Sequence, residues 1–345
     1  MKKLFGLSVI MILTSLFLFN CEDSGLEPEP NPGRRDYVWE VDTLVIPYTF
    51  LHEIWGSSPD DVWAIGPGGD LDKTIYHYNG KKWNNVGMQR PISPKGIWGF
   101  SSDDIWIAGN EGKIAHYNGT EWYRHLVLDE EKFAYSAFED IWGENNQNIW
   151  AVGYLDSANT RKGLVYHFDG KEWKRINIVH NNGNLGKIRK GKKTSNNYYL
   201  WGLLENDFIG DSTMILEYSG QPNMKVLDKS RFVFGEWHNM EVIEDEVIFT
   251  INNSLYTYKN NEFNLITTNN FSDAYQGIFG RTKKDIFWLM DNGITHYNGN
   301  NIEYILEFHG TEHLVRGLLF ENDVFSLAKD YSNYTNIIIK GKLKN

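Results

Sequence analysis

The amino-acid sequence predicts an all-β fold: a single β-propeller of seven four-stranded blades. Three observations support this prediction. A unit of four short elements, rich in β-branched and aromatic residues, recurs along the chain, and its first copies lie 43 and 44 residues apart. Gly, Asn, Asp and Ser separate the elements, as expected for tight turns. The last unit lacks its fourth element, and a matching element occurs near the N-terminus.

Each element of the unit predicts one strand. The first is Ile-Trp-Gly, at residues 54–56, 97–99 and 141–143, with a later copy at 278–280. The second is Asp or Asn, an apolar residue and Trp or Phe, at 61–63, 104–106, 148–150 and 285–287. The third is His, an aromatic residue, Asn or Asp, and Gly, beginning at His77, His116, His167 and His296. The fourth begins five residues after the aromatic residue, at Trp83, Trp122, Trp173, Phe263 and Ile302.

The two ends of the chain predict how the ring closes. The seventh unit stops shortly after its third element, close to Gly341. The sequence Val-Trp-Glu-Val around Trp39 is similar to the fourth element around Trp173. We therefore predict that the strand around Trp39 completes the last blade, which removes a sheet edge that would otherwise be free to aggregate.

The N-terminal segment predicts export. Lys2 and Lys3 precede sixteen uncharged residues, 4–19, which are followed by Asn20 and then Cys21, the single cysteine. The segment resembles a bacterial lipoprotein signal, which implies that Cys21 is lipidated. A plain cleaved signal or an uncleaved anchor with an incidental cysteine is the alternative. The predicted boundaries are a signal at 1–20, a Pro-rich tether at 21–36 and the propeller at 37–345, in the bacterial cell envelope.

Composition and motifs exclude several classes of function. A net charge of −11 argues against nucleic-acid binding, which requires basic surfaces for phosphate, and 15% aromatic residues exclude a disordered chain. The sequence lacks zinc-binding spacings, a Gly-rich phosphate loop, a nucleophile elbow and paired Cys and His. We therefore expect no metal, no cofactor and no catalytic residue recognisable by motif.

The repeat as a whole resembles that of secreted bacterial lipoproteins with propeller repeats, a largely uncharacterised group. The similarity extends from Tyr37 to the C-terminus and is strongest in units one, two, three and six. It implies a lipid-anchored propeller outside the cytoplasm.

Residues that recur in every unit are expected to serve folding. We predict that the tryptophans of the first two elements pack one blade against the next. Asp61, Asp104 and Asp285 are interpreted as turn residues that accept backbone N–H groups. The four histidines occupy equivalent positions of different blades, too far apart for one metal ion, so we expect them to be hydrogen-bonded structural residues.

Candidate binding residues lie where each unit enters its first strand. The position two residues before the recurrent apolar residue is polar in six units, and these side chains are predicted to surround one end of the central channel: His52, Lys95, Glu139, His238, Gln276 and Arg316. The connections that vary in length are expected on the same face, at 67–74, 154–162, 180–197 and 205–213. A basic run lies in or beside the third of these, at Lys187, Arg189, Lys190, Lys192 and Lys193.

These observations favour a non-catalytic binding or scaffold module, monomeric and membrane-anchored, that presents its variable face to a protein or a glycan. A glycan-active hydrolase or lyase is the alternative, with carboxylates at the channel mouth such as Glu53, Glu139 or Asp140. A structural member of an envelope assembly is a third possibility.

Overall fold

The computed structural model describes residues 31–87, 92–128, 135–157, 160–177, 185–204, 212–219, 224–231, 239–271 and 277–344. The first strand is β1 (Tyr37–Val45). Blade 1 contains β2 (Glu53–Ser58), β3 (Asp61–Ile65), β4 (Ile75–Tyr78) and β5 (Trp83–Asn85), with a short 3-10 helix at Leu71–Lys73. Blade 2 contains β6 (Pro94–Ser101), β7 (Asp104–Gly109), β8 (Lys113–Tyr117) and β9 (Trp122–Val127). Blade 3 contains β10 (Ala137–Asn145), β11 (Asn148–Ser157), β12 (Thr160–Phe168) and β13 (Trp173–Arg175).

The remaining blades follow in the same order. Blade 4 contains β14 (Leu185–Lys193), β15 (Tyr198–Leu204), β16 (Ser212–Tyr218) and β17 (Lys225–Arg231). Blade 5 contains β18 (Asn239–Ile243), β19 (Glu246–Ile251), β20 (Ser254–Lys259) and β21 (Glu262–Thr268). Blade 6 contains β22 (Gly277–Thr282), β23 (Asp285–Met290), β24 (Gly293–Tyr297) and β25 (Ile302–Glu307). Blade 7 contains β26 (Glu312–Leu319), β27 (Asp323–Asp330) and β28 (Thr335–Leu343), and β1 completes it. The predicted seven-bladed, all-β propeller is confirmed.

Two faces follow from the order of the strands. In each blade, strands that follow one another along the chain pair in antiparallel fashion, and β1 supplies the fourth strand of blade 7. The first strand of each blade lines the central channel. Connections from the second to the third strand and from one blade to the next lie on one face, here called the loop face. Connections from the first to the second strand and from the third to the fourth lie on the opposite face, here called the turn face.

The N-terminal strand closes the ring, as predicted. β1 pairs antiparallel with β28 over nine residues, from Tyr37 opposite Leu343 to Val45 opposite Thr335. The ring of Trp39 packs over Gly341, and its Nε1 donates a hydrogen bond to the carbonyl oxygen of Ile305 in blade 6, at 3.1 Å. The strand therefore joins blade 7 to blade 6 as well as sealing the edge of β28.

The core is divided among the interfaces between blades. Seven clusters of buried apolar side chains occur in the described residues, and each combines residues of two neighbouring blades. Between blades 3 and 4, the Trp142 ring lies so close to the Gly191 backbone that a Cβ there would stand 2.0 Å from a ring carbon. Trp142 and Trp150 both belong to this cluster. The expectation that the recurrent tryptophans pack blade on blade is confirmed.

The recurrent aspartates and histidines form a repeated side-chain motif. In blade 2, one oxygen of Asp104 accepts hydrogen bonds from Trp106 Nε1 at 2.8 Å and His116 Nε2 at 2.7 Å. Asp61 binds Trp63 and His77 in the same way, and Asp285 binds His296. The histidines are thus hydrogen-bonded as expected. The aspartates differ from the expectation of backbone capping, because these partners are side chains: a Trp of the same strand and a His of the neighbouring strand.

The turn face consists of self-contained polar turns. Asn79 Oδ1 accepts the backbone N–H groups of Lys81 and Lys82 at 3.2 and 3.1 Å, and Gly80 adopts φ +81°, a conformation that favours glycine. Asn118, Asp169 and Asn298 repeat this arrangement in blades 2, 3 and 6. The side chains of these turns therefore satisfy their own backbone.

The chain enters the propeller at the turn face. Gly33 N donates to the Lys284 carbonyl oxygen at 2.8 Å, and Arg35 binds the Asn301 side chain and backbone at 2.9 and 2.7 Å. Residues 33–36 thus contact the propeller, although they fall within the predicted tether. Residues 1–30 of the predicted signal and tether, including Cys21, lie outside the described residues. Within the described chain, no helix is long and apolar enough to cross a bilayer.

Candidate functional site: the loop-face mouth of the channel

β-Bulges shape the loop-face end of the channel. In β6, β10, β14 and β26 the pairing with the second strand skips one residue at an equivalent point: Lys95, Glu139, Arg189 and Val315. In blade 1, His52 donates its backbone N–H to Ile65, the residue that pairs with Glu53, so His52 takes the same place. A bulge redirects the side chain it carries and is common near functional sites. Four of these five side chains are ionisable.

Cations from blades 2 and 4 converge on one carboxylate of blade 3 at this end of the channel. Glu139 accepts from Lys95 Nζ at 2.7 Å and lies 3.1 Å from Lys187 Nζ and 3.7 Å from the Arg189 guanidinium. The Glu139 side chain is only 9% exposed, whereas that of Arg189 is 36% exposed. We call Lys95, Glu139, Lys187 and Arg189 the mouth cluster.

The electrostatics of the mouth cluster follow from its crowding. Burial alone would raise the pKa of Glu139, but Lys187 and Lys95 outweigh it and hold that pKa below its usual range. Burial lowers the pKa of Lys187 to about 8 against the opposing effect of Glu139. The Tyr154 ring lies 4.6 Å from Lys187 Nζ and 4.7 Å from the Arg161 guanidinium, which adds a cation–π contact to each.

Further along the channel the charged groups are mostly paired. Arg316 binds Glu53 and Lys192 binds Glu241, at 2.7 and 2.6 Å. Lys190 Nζ donates to Asn239 Oδ1 at 2.9 Å, and burial lowers its pKa to about 7. A cavity of about 240 Å³ is lined by members of these pairs.

Asp140 lies in the same stretch of the channel, and its carboxylate accepts hydrogen bonds from backbone N–H groups. Its oxygens accept N–H groups from Ile141 at 3.0 Å and from Gly191, in the next blade, at 3.1 Å. Burial raises the pKa of its carboxyl. Asp140 thus links blades 3 and 4.

A group of aromatic side chains lies on the loop face beside blades 7 and 1. The Phe50 ring stands 4.9 Å from Tyr331 and 5.7 Å from Tyr334, and Tyr48 stands 5.2 Å from Tyr334. Tyr48 and Tyr331 are 71% and 55% exposed. Tyr48 and Tyr334 have φ of +60° and +52°, uncommon for bulky residues and a frequent mark of functional positions. These four residues are the aromatic shelf, and Lys329 Nζ, 5.9 Å from the Phe50 ring, lies next to it.

His52 lies in sequence between Phe50 of the shelf and Glu53 of the channel, and it should make folding sensitive to acid. Its Nδ1 is buried without a partner among the described residues, and burial lowers its pKa to about 4, with Glu53 opposing and Lys329, Lys95 and Arg316 assisting. The unfolded chain, with a His pKa of about 6.5, then binds more protons between pH 6.5 and 4. Stability is retained above that range and lost as the pH falls through it.

We expect His52→Gln to reduce, by about 1–2 kcal/mol, the loss of unfolding free energy between pH 7 and pH 5. Urea denaturation of both proteins at the two pH values measures this difference. Equal losses in the two proteins would contradict the assignment.

The structure describes four of the six residues that the sequence predicts around the end of the channel. The structure places Lys95 and Glu139 at bulges of the mouth and His52 at the equivalent position of blade 1. Arg316 pairs within its sheet as Asp140 does, so it lies one position further into the channel. His238 and Gln276 lie outside the described residues. The role of these residues in binding stays a prediction.

The basic run differs from its expected place. Lys187, Arg189, Lys190, Lys192 and Lys193 lie in β14, the innermost strand of blade 4, and not in a loop. Residues 194–197 connect the first two strands of that blade and belong to the turn face. The 154–162 segment is largely paired, because β11 and β12 extend to Ser157 and Thr160. The described residues contain no group of three or more His, Cys, Asp and Glu side chains able to hold a metal ion.

Known proteins resemble the chain in fold. No protein-family model and no curated protein matches its sequence. YCF48 bound to a D1 peptide superposes with a TM-score of 0.64 at 15% identity, over 92% of this chain and 100% of that one. YCF48 from Cyanidioschyzon merolae gives 0.59 at 12%, over 87% and 98%. The WD40 β-propeller domain of Doa1 gives 0.59 at 10%, over 90% and 98%. At such low identities these similarities establish the β-propeller fold alone.

Proposed function

We propose that this chain is a non-catalytic, membrane-tethered binding module that holds a protein partner on its loop face, outside the cytoplasm. The observation that carries the proposal is the contrast between the two faces. Among the described residues, every large apolar side chain that is exposed in a connection between strands belongs to the loop face: Tyr48, Tyr135, Phe271, Tyr331 and Tyr334. Exposed aromatic residues beside a polar rim are typical of protein interfaces.

A protein is the partner class that these features favour. The mouth cluster and the aromatic shelf lie on the same face, so that a partner could place charged and apolar side chains there together. YCF48, which has the same fold, has been solved with a peptide bound, and this supports the ability of such a scaffold to accept a peptide. A glycan bound in place of a protein would be an outcome of the experiment below.

The path of the chain supports the orientation of the module. Residues 33–36 lie on the turn face, bound to Lys284 and Asn301. A tether that begins there, and a lipid on Cys21, would direct the turn face toward the membrane. The loop face would then point away from it, available to a partner.

The contacts of the carboxylates favour binding over glycan hydrolysis. Glu53 pairs with Arg316, Glu139 is held by the cations of the mouth cluster, and Asp140 accepts backbone N–H groups. Each of the three is engaged in holding the propeller together.

Site-specific cross-linking in cells that produce the protein tests the proposal. A photoreactive benzoylphenylalanine replaces Tyr331 on the loop face or, as the matched control, Lys81 in an exposed turn of the turn face. We expect a discrete protein adduct from position 331 and none from position 81. Adducts from position 81 alone, or a glycan adduct at position 331, would contradict the proposal.

The same cells test the tether. The full chain is expected in the membrane fraction, and Cys21→Ser is expected to be soluble because lipidation requires the thiol. Membrane association of both proteins would contradict lipid anchoring and leave the loop-face result to be judged separately.

A further inference from the structure

We propose that the loop-face mouth of the channel is an anion site that binds carboxylate side chains of an acidic segment in the protein partner. This inference rests on the proposed function and specifies its ligand. It is carried by the mouth cluster, whose charge is not balanced, and by the bulges of β6, β10 and β14 at which Lys95, Glu139 and Arg189 lie.

The local charge opposes that of the whole chain. Lys95, Lys187 and Arg189 share the single carboxylate of Glu139, which leaves an excess of two positive charges at one point. The described side chains around the mouth and channel include the cations Lys95, Lys187, Arg189, Lys192, Arg316 and Lys329 and the carboxylates Glu53, Glu139, Asp140 and Glu241, and they also include Lys190, whose pKa burial lowers to about 7. The chain carries −11 overall. A cleft with low-dielectric walls focuses such a field and attracts anions.

The geometry leaves room for a second anion. Lys95 donates to Glu139 at 2.7 Å, but Arg189 stands 3.7 Å from it, beyond hydrogen-bond distance, and its side chain keeps 36% of its surface exposed. A guanidinium in this state can form a bidentate pair with an incoming carboxylate. Lys187 is held by Glu139 and by the Tyr154 ring, so its ammonium is fixed in place beforehand.

A short acidic segment suits this site better than a long polyanion. The site has few cations, and the surrounding negative chain repels extended polyanions with a charge at every unit. A few glutamate or aspartate side chains can reach the mouth while the rest of the partner contacts the loop face. The sequence alone suggests Lys95 and Glu139 as candidates, whereas the convergence of Lys187 and Arg189 on Glu139 depends on the position of β14.

Fluorescence anisotropy with a fluorescein-labelled hexaglutamate peptide tests the site, with hexaglutamine as the uncharged probe. We expect saturable binding of hexaglutamate that weakens with added salt, and none of hexaglutamine. Lys95→Ala and Arg189→Ala should each weaken it about tenfold, because each removes a close opposite charge. Lys174→Ala is the matched control: it removes a cation from the turn face, paired there with Asp169 and Glu172, and should leave binding unchanged.

Glu139→Gln separates an anion site from a merely structural cluster. The variant keeps an oxygen acceptor and removes the competing charge, so binding should tighten, by about tenfold if the full charge competes. Weaker binding by a variant with an unchanged melting temperature would overturn the proposal. If Glu139→Gln fails to fold, the affinity of Arg189→Ala for hexaglutamate tests the proposal instead. An affinity equal to that of the wild-type protein would overturn the anion site as well.

The source of the carboxylate is tested by competition. Polygalacturonate, a glycan that carries carboxylates, should displace hexaglutamate less effectively than unlabelled hexaglutamate does, and the reverse order would overturn the assignment to a peptide. If hexaglutamate fails to bind while position 331 still forms its protein adduct, the anion site is refuted and the proposed function stands. Loss of the adduct with hexaglutamate binding retained refutes the proposed function instead.

Discussion

Deletion of residues 37–46 is expected to unfold the propeller at temperatures at which the full chain is folded. The deletion removes β1, its nine-residue pairing with β28, and the buried side chains of Tyr37 and Ile46, which are 7% and 2% exposed. Each buried apolar side chain contributes about 2–3 kcal/mol and each backbone hydrogen bond about 1 kcal/mol. The loss approaches the whole stability of a typical domain, about 5–15 kcal/mol.

Thermal denaturation followed by circular dichroism measures the effect, and light scattering should detect aggregation through the exposed edge of β28. The differing exposure of the β1 side chains supplies controls. Tyr37→Ala and Trp39→Ala remove side chains packed against blades 6 and 7, and both should lower the melting temperature strongly. Val38→Ala and Val41→Ala alter side chains of the same strand that are 52% and 59% exposed, and should have little effect. An unchanged melting curve for the deletion would contradict ring closure.

The architecture could be predicted because blades 1, 2, 3 and 6 carry clear copies of the repeated unit and the other blades carry weaker ones. The Ile-Trp-Gly and Asp-x-Trp elements recur where the structure has first and second strands, as at Trp55 and Trp63. Errors in one copy are compensated by the others. The missing fourth strand of the last unit predicted the role of Trp39 for the same reason, since a propeller blade requires a partner for β28.

The candidate site was less predictable because it depends on register. The polar position two residues before the recurrent apolar residue pointed to Lys95 and Glu139, which lie at bulges of β6 and β10, and their role in binding stays a prediction. No sequence pattern marks a bulge, so Val315 displaces Arg316 by one position in blade 7. Blade 4 lacks the Ile-Trp-Gly element, and its basic run was therefore assigned to a loop although Lys187 and Arg189 lie in the innermost strand.

The residues of the aromatic shelf belong to none of the repeated sequence elements, so the repeat could not predict them either. Tyr48 lies between β1 and β2, and Tyr331 and Tyr334 between β27 and β28, so these residues are distant in sequence. They meet because the N-terminal strand closes the last blade. Their juxtaposition is a consequence of ring closure and follows only once the partner of β1 is known.

Asp104→Ala is expected to destabilise the propeller by about 2–4 kcal/mol, because it leaves two buried donors without an acceptor. The Asp104 carboxylate accepts from Trp106 Nε1 and His116 Nε2, at 2.8 and 2.7 Å. Burial lowers the pKa of His116, so its ring is neutral near pH 7, with Nε2–H as donor and Nδ1 as acceptor from Tyr123 Oη. Removing the carboxylate therefore costs hydrogen bonds rather than an ion pair.

Blade 3 supplies the decisive comparison for this interpretation. Asn148 occupies the position of Asp104 and forms the same two bonds, to Trp150 Nε1 at 3.0 Å and His167 Nε2 at 2.7 Å. Asp104→Asn should therefore cost less than about 1 kcal/mol in urea denaturation, and so should Asp103→Ala, which alters the exposed neighbour. If Asp104→Asn were as damaging as Asp104→Ala, the negative charge would be required, and the motif would have to be an ion pair with a protonated histidine.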